Sequence, residues 1–400
     1  MRPVLHARVV ANAGGGPDKT ILRSPGYAPD RYPMAAAYLH PAGAPELQAL
    51  REQAQAQGCP FHAIPERGPL DPVALWRLLR LCQRQRIRIW HAHDYKTNLL
   101  GLMLRRLHPM TVVTTMHGFT GESARVRLYD KLDRVTIPRC DAVAAVSGKL
   151  YEQARSFGVE ETKLALIPNG VEVRRYARDT TLEAAKRSLG TSRDRPLIVV
   201  LGRLSPEKGQ DRAIDTLQGL HDAGVDAQLV LVGDGPTRSE LEAQARHAGL
   251  TDHVTFAGWS PDPRPYLQAA DLLLLPSRTE GLPNAVLEAM ASGLTVAAAP
   301  VGAVPEALDY GRAGCLLDED THTWARKLAG LLSSPGRLSR LAQAGHERAK
   351  RFYGFDLRMR RMIALYDRAL GLAADETPIS FETDQASPEI GEVQTLRQAA

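Results

Sequence analysis

The chain has 400 residues, 44% of them hydrophobic and 24% charged. It is therefore long and apolar enough to bury a substantial core in two or three domains, and global disorder is excluded. The four cysteines (Cys59, Cys82, Cys140 and Cys315) lie far apart with no Cys-x-x-Cys spacing, which argues against a zinc site and fits free thiols in a reducing cytosol. No run of 18 apolar residues and no apolar stretch of signal-peptide length at the N-terminus occurs, so the expectation is a cytoplasmic protein.

Taken in chain order, short apolar runs recur, each followed by a turn and a helical pattern. The first half holds RVVAN, MAAAYLH, RIRIWHAH, TVVTTMHG, DAVAAVS and LALIPNGV; a second series runs PLIVVLGRL, AQLVLVGDG, HVTFAGW, DLLLLPS and LTVAAAP. Strands alternating with helices predict parallel sheets covered on both faces, so the fold class is α/β with two doubly wound domains. A polar stretch broken by Gly190 and Pro196 places an interdomain linker around residues 172–195. The expected division is an N-terminal Rossmann-like domain over 1–175 and a second over 176–345. A closing amphipathic helix over 346–370 follows, carried by the periodic RRFYGFDLRMRRMIALYDRAL, and then an acidic, disordered tail over 371–400. That tail carries six acids and only Arg397. Of the chain's 50 bases and 45 acids, the remainder thus holds 49 and 39, a basic body suited to a polyanionic ligand or an anionic surface.

The first glycine-rich stretch, ANAGGGPDKT, invites comparison with a triphosphate-binding loop. That motif needs glycine directly before the lysine, and here Asp18 stands before Lys19, turning a carboxylate toward the phosphates. A strand ending at Asn12, a turn at Gly14 to Gly16 and a helix opening at Pro17 fit better. Such a turn lets backbone approach an anion at a helix start, and an unliganded tight turn explains it equally.

In the second half, GRLSPEKG follows a buried strand and offers Arg203 and Lys208, a planar fork and a mobile point charge suited to a diphosphate; two solvated surface cations are the plainer alternative. PSRTEGLPNAVLEAMASG then follows DLLLL. It places Glu280 in a loop and Glu288 about one turn into a helix that starts near Pro283 and Asn284 and stops at Gly293. Both carboxylates can face one crevice, and the free N–H groups near Asn284 and Ala285 make a second anion cradle.

These motifs, in this order, carry a resemblance. GRLSPEKG, VGDGP, FAGW and EGLPNAVLEAMASG, preceded by AGGGPDKTIL, HAHDYKTNLLG, TMHG, VSGKL and IPNGV, resemble the retaining nucleotide-sugar glycosyltransferases of the GT-B fold. More narrowly, they resemble the family that includes phosphatidylinositol mannosyltransferases and sucrose synthases, over about residues 8–368. The resemblance implies two Rossmann-like lobes facing a cleft, with a C-terminal helix returning to the first lobe. It implies a nucleoside-diphosphate sugar as donor, a glycan or lipid-linked acceptor and retention of anomeric configuration, in cell-surface glycan, lipopolysaccharide or glycolipid synthesis. Arg203 and Lys208 would then hold the diphosphate, Glu288 the ribose hydroxyls, and Glu280 with the backbone near Leu282, Asn284 and Ala285 the donor sugar and phosphate. Gly15, Gly16, Gly233 and Gly235 would allow close approach to the nucleotide, and His117 would lie beside the reacting sugar. The resemblance implies no metal and no cofactor beyond the donor. A UDP-sugar epimerase of the same fold and a non-catalytic nucleotide-sugar binder remain as alternatives.

His91 and His93 alternate along one strand and share a face; with no third ligand at suitable spacing they are read as cleft-lining or structural. Basic residues cluster at Arg84, Arg86 and Arg88, at Arg105 and Arg106, and at Arg125, Arg127, Lys131 and Arg134. The last group suggests peripheral contact with anionic membrane, and a solvated helix face explains it as well. Aromatic residues make up only 6%, without the interleaved basic stripe of a nucleic-acid binder.

Overall fold

The computed structural model describes residues 1–10, 15–68, 70–118, 131–318 and 320–372. Two all-parallel sheets organise it. The first has seven strands in the order β3-β2-β1-β4-β5-β6-β7, namely β1 Val4–Val9, β2 Met34–Pro41, β3 Phe61–Glu66, β4 Ile89–Ala92, β5 Thr111–Met116, β6 Ala142–Ala145 and β7 Leu164–Leu166. The second has six in the order β10-β9-β8-β11-β12-β13, namely β8 Leu197–Leu201, β9 Gln228–Val232, β10 Val254–Gly258, β11 Leu272–Leu275, β12 Thr295–Ala298 and β13 Cys315–Leu316. Central strands such as the four-leucine β11 are buried throughout, because helices cover both faces of a parallel sheet.

Strand order reverses between β1 and β4 in the first lobe and between β8 and β11 in the second. In open parallel sheets, ligands bind beyond the carboxyl ends of the strands at such a switch point. Gly15 and Gly16 follow β1, His93 follows β4, Arg203 follows β8 and the Glu280 loop follows β11, so these four motifs flank the switch points, while His117 follows β5 and Gly233 follows β9, one strand to the side.

Two edge strands escape the hydrophobic pattern: β3, which is polar on one side and carries Pro65, and the two-residue β13. The 172–195 stretch is more ordered than a linker. It folds as the short helices Val173–Tyr176 and Leu182–Ser188, with Tyr176, Ala185 and Lys186 buried. The expected single closing helix is two, Pro335–Phe352 and Phe355–Ala369, broken at Tyr353 and Gly354. The break has a cause: Val171 donates to the Tyr353 carbonyl at 2.8 Å and accepts from Phe355 N–H at 2.9 Å, forming a bridge that diverts the chain back to the first lobe. There Phe355, Met359, Met362, Leu365 and Tyr366 close a core with Val4, Met34, Ile89, Val113 and Ile167. Asp367 fastens the helix end to Tyr32 (2.6 Å) and Arg31 (2.9 Å). The acidic tail beyond Leu372 lies outside the described residues.

Candidate functional site: an interlobe cleft

The cleft is built from loops at the carboxyl ends of both sheets. On the second lobe, Lys208 closes a one-turn helix after β8 and donates to Glu280 Oε1 at 2.7 Å; Ser277 donates to the same oxygen at 2.8 Å. Arg203 leaves the same β8 end, with its side chain exposed. Gly233 and Gly235 lie against that loop so tightly that a Cβ at either would sit 1.9 Å from the Gly202 carbonyl oxygen or 2.2 Å from that of Leu204. Only glycine permits the crossing of β9's exit over β8's exit. The Asn284–Ala291 helix begins after Pro283 without a side-chain cap, which leaves its first N–H groups for a ligand.

From the first lobe, the Gly16–Arg23 helix presents its start to the same gap. Lys19 reaches across it to Glu288 Oε1 at 2.5 Å, and Asn284 Nδ2 donates to the Gly16 carbonyl at 3.2 Å. Asn169 donates to the Leu282 carbonyl at 2.8 Å, and a Cβ on Gly281 would meet the His117 carbonyl oxygen at 2.5 Å. Lys208, Glu280 and Glu288 thus line one interlobe gap with Gly15, Gly16, Leu282, Asn284 and Ala285, and Arg203 stands at the β8 exit beside it. Gly14 is outside the described residues.

Several members of this cleft left no signal in the sequence. Glu288 is only 3% exposed, and behind it stand the buried Tyr176 and Arg23, the latter paired with Glu172 at 3.2 Å. Asp18, the residue that spoils the triphosphate motif, is buried. It accepts from Gly15 N–H at 3.1 Å and Tyr38 Oη at 3.0 Å and pairs with Arg8 at 2.8 Å, fixing the turn. These partners come from separate strands and helices, so no local spacing announces them.

The cleft floor holds a ladder of imidazoles. His91 and His93 do share a face, as alternation predicts, and the neighbouring β1 supplies a third ring, His6, that no spacing along β4 announces. His6 Nδ1 lies 2.9 Å from His93 Nε2, and His93 Nδ1 lies 2.9 Å from His117 Nε2. His91 is held by Tyr366 Oη (2.5 Å) and Thr115 Oγ1 (2.7 Å). The three rings His6, His91 and His93 are close enough to bracket an ion, with ligating atoms within 4.8 Å, yet their facing nitrogens are engaged with one another and with hydroxyls. Burial, aided by the Arg358 guanidinium, lowers the His6 pKa to about 3. Burial also holds His91, His93 and His117 well below the usual histidine range, so all four rings are neutral at physiological pH.

Two facing Rossmann-like lobes, with glycine-containing and cationic loops at the switch points and a C-terminal helix that returns to the first, define a GT-B glycosyltransferase architecture. Comparison with known proteins agrees. The model of the glycosyl transferases group 1 matches residues 195–334, and that of Glycosyltransferase Family 4 matches 35–175. A GDP-mannose-dependent α-(1-6)-phosphatidylinositol monomannoside mannosyltransferase of Mycolicibacterium smegmatis is 31% identical over 287 residues, 69% of this chain and 75% of the relative. The lipopolysaccharide core mannosyltransferase LpsB of Rhizobium meliloti is 28% identical over 305 residues, 74% of this chain and 83% of the relative. Among solved structures, Anabaena HepE in complex with UDP-glucose superposes with a TM-score of 0.77 at 19% identity, covering 93% of this chain and 100% of that one. The chain belongs to the family 4 glycosyltransferases and is a glycosyltransferase of GT-B fold.

Proposed function

We propose that the enzyme moves a hexose from a nucleoside-diphosphate sugar to an acceptor hydroxyl with retention of configuration, in the synthesis of a cell-surface glycan, lipopolysaccharide or glycolipid at the cytoplasmic face. The observation that carries this reading is the convergence of Lys208, Glu280, Glu288 and two helix starts, that of the Asn284–Ala291 helix without a side-chain cap, on one interlobe gap, with Arg203 at its edge. In it, Arg203 and Lys208 grip the diphosphate and stabilise the charge that grows on it as the glycosidic bond breaks. Glu288 exchanges Lys19 for the ribose hydroxyls, and Glu280, held by Lys208 and Ser277, orients the sugar and phosphate.

His117, neutral and anchored through His93, lies beside the sugar as a hydrogen-bonding group rather than a cation. A double displacement needs a free carboxylate nucleophile at the anomeric carbon; in this scheme Glu280 is engaged by Lys208 and Ser277 and Glu288 by the ribose, so neither is assigned that role. In front-face attack the acceptor oxygen bonds to the anomeric carbon as the bond to the β-phosphate oxygen breaks, and the acceptor proton passes to the departing diphosphate. Cations and helix dipoles take the place of a metal in this scheme.

Peripheral contact with an anionic membrane forms part of the proposal. Arg125 and Arg127 of the segment first suggested lie outside the described residues, and the support comes instead from the Pro72–Arg84 helix. Its outer face exposes Val73 (50%) and Trp76 (58%), beside Leu70 (62%), in line with Arg77, Arg80 and Arg84. Among the described residues no helix is long and apolar enough to cross a membrane.

A thermal-shift screen of UDP-, GDP- and ADP-sugars, followed by product analysis with the stabilising donor, tests the function. A ligand at 100 times its dissociation constant raises stability by about 2.7 kcal/mol. No shift with any nucleotide sugar refutes the reading. Turnover of the donor without an acceptor to a second nucleotide sugar makes the enzyme an epimerase instead.

A further inference from the structure

The closing helix carries an arginine that the transfer scheme leaves unused. Arg358 is 3% exposed, and its Nε and Nη2 have no hydrogen-bond partner; its Nη1 lies 3.8 Å from the Met359 sulfur, its one recorded polar contact. Three other buried cations are matched by carboxylates: Arg23 by Glu172, Lys96 by Glu66 and Lys186 by Asp271. Among the described residues, no carboxylate pairs with Arg358. An apolar side chain would fill the same space more favourably than an uncompensated guanidinium, so a charge kept there without a partner calls for a compensating one that arrives.

Its place in the fold says where that partner enters. Arg358 lies against the loop after β7: a Cβ on Gly170 would come within 3.1 Å of its Cβ and 3.2 Å of its Cδ. The preceding Asn169 spans the cleft to the Leu282 carbonyl and leaves its own Oδ1 buried and unpartnered. On the other side stands the imidazole ladder, tied to the same helix through Tyr366 and His91. Both ends of that ladder, His6 Nε2 and His117 Nδ1, are also buried without partners. Burial, and after it the guanidinium's field, lowers the pKa of His6, His91 and His117, and burial lowers that of Arg358 to about 10, so a cation remains near neutral rings at physiological pH. A guanidinium fork, two imidazole nitrogens and an amide oxygen are thus all buried and unsatisfied on the helix, strand and loops that meet on this side of the first lobe, donor and acceptor groups of the kind that hold an oxyanion.

We propose that Arg358 is the receptor for an oxyanion that a substrate carries into the cleft floor, a carboxylate or a phosphate, with His117 Nδ1 and His6 Nε2 hydrogen-bonding beside it. The proposal rests on the cleft being the place of sugar transfer. The two sources are a donor whose sugar is a uronate and an acceptor that bears a phosphate.

The test compares wild type with Arg358→Met and Arg358→Gln by calorimetry and thermal shift. UDP and GDP are titrated first; their binding tests the nucleotide-sugar reading by itself and is expected to stay within about twofold in both variants, since Arg358 is not assigned to the nucleotide. With the nucleotide that binds, the neutral and uronate sugars are compared (UDP-glucose with UDP-glucuronate, or GDP-mannose with GDP-mannuronate), and inorganic phosphate is added to nucleotide-saturated protein. The expected result is a gain of about tenfold or more from one anion in wild type. That gain vanishes in both variants, and ligand-free Arg358→Met melts at a higher temperature than wild type. Preference for the uronate assigns the donor; response to phosphate assigns the acceptor. The proposal is overturned if neither anion adds affinity in wild type, if the gain persists in Arg358→Gln, or if both variants unfold at lower temperature with nucleotide binding lost.

Discussion

Lys19 offers the sharpest single perturbation, because its ammonium occupies the carboxylate that the proposed ribose contact requires. The bridge to Glu288 measures 2.5 Å, with side chains 25% and 4% exposed, so it is neither a solvated surface pair nor a fully dry one. Charge-assisted hydrogen bonds of this kind contribute about 1.5–3 kcal/mol. With one end of the bridge buried and the other a quarter exposed, the middle of that range applies, about 2 kcal/mol. For lobes of this size, Lys19→Met should then lower the melting temperature of ligand-free protein by roughly 4–8 °C. The same change relieves the donor of displacing the lysine, so nucleotide should bind between about threefold and thirtyfold more tightly, the upper bound being the full value of the bridge. Differential scanning fluorimetry and titration calorimetry with the bound nucleotide read both numbers. An unchanged melting temperature together with nucleotide binding weakened tenfold or more would falsify this account and make Lys19 a ligand of the diphosphate.

Gly281→Ala places a methyl group against the His117 carbonyl across the cleft and should prevent full closure, reducing turnover by about 10²-fold while the melting temperature stays nearly constant; wild-type kinetics in this variant would show that the contact is dispensable. Arg203→Ala should lower turnover by roughly 10²- to 10³-fold with the natural donor, as losing one oxyanion donor does, and retained activity counts against its assignment. The four buried histidines have folded-state pKa values below that of the unfolded chain, so stability is full above pH 6.5 and falls as pH drops, the His6 contribution until about pH 3. Each ring contributes about 1.4 kcal/mol per pH unit in that window. Urea denaturation at pH 7.5, 6.5 and 5.5 should show a steep decline below 6.5, and a flat profile contradicts the buried neutral ladder. Trp76→Ser combined with Arg80→Glu should abolish salt-sensitive co-sedimentation with anionic vesicles; wild type that fails to pellet at low salt removes the membrane proposal.

Much of the architecture was legible because strands of parallel sheets covered by helices are rich in apolar residues, and eleven of the thirteen described strands fall on the short apolar runs of the sequence. The exceptions, β3 and β13, lie at sheet edges, where a polar face and a proline are tolerated and the pattern disappears. The break at Gly354 was hidden for another reason: hydrophobic periodicity passes through it, and only the bridge to Val171 reveals that the chain must turn there.

Composition and local chemistry alone determined the two α/β halves, the rejection of a triphosphatase loop, and the placing of Arg203, Lys208 and Glu280 beyond strand ends and of Glu288 in the helix that follows. Those features depend on residues close together in the chain, where spacing is geometry. Tertiary structure alone decided that Lys19 occupies Glu288, that His6 completes the imidazole ladder with His93 and His117, and that Arg358 is buried without a counter-charge. Each joins elements separated by tens to hundreds of residues, and such pairs are chosen by how sheets, lobes and the returning helix pack, which no local pattern encodes.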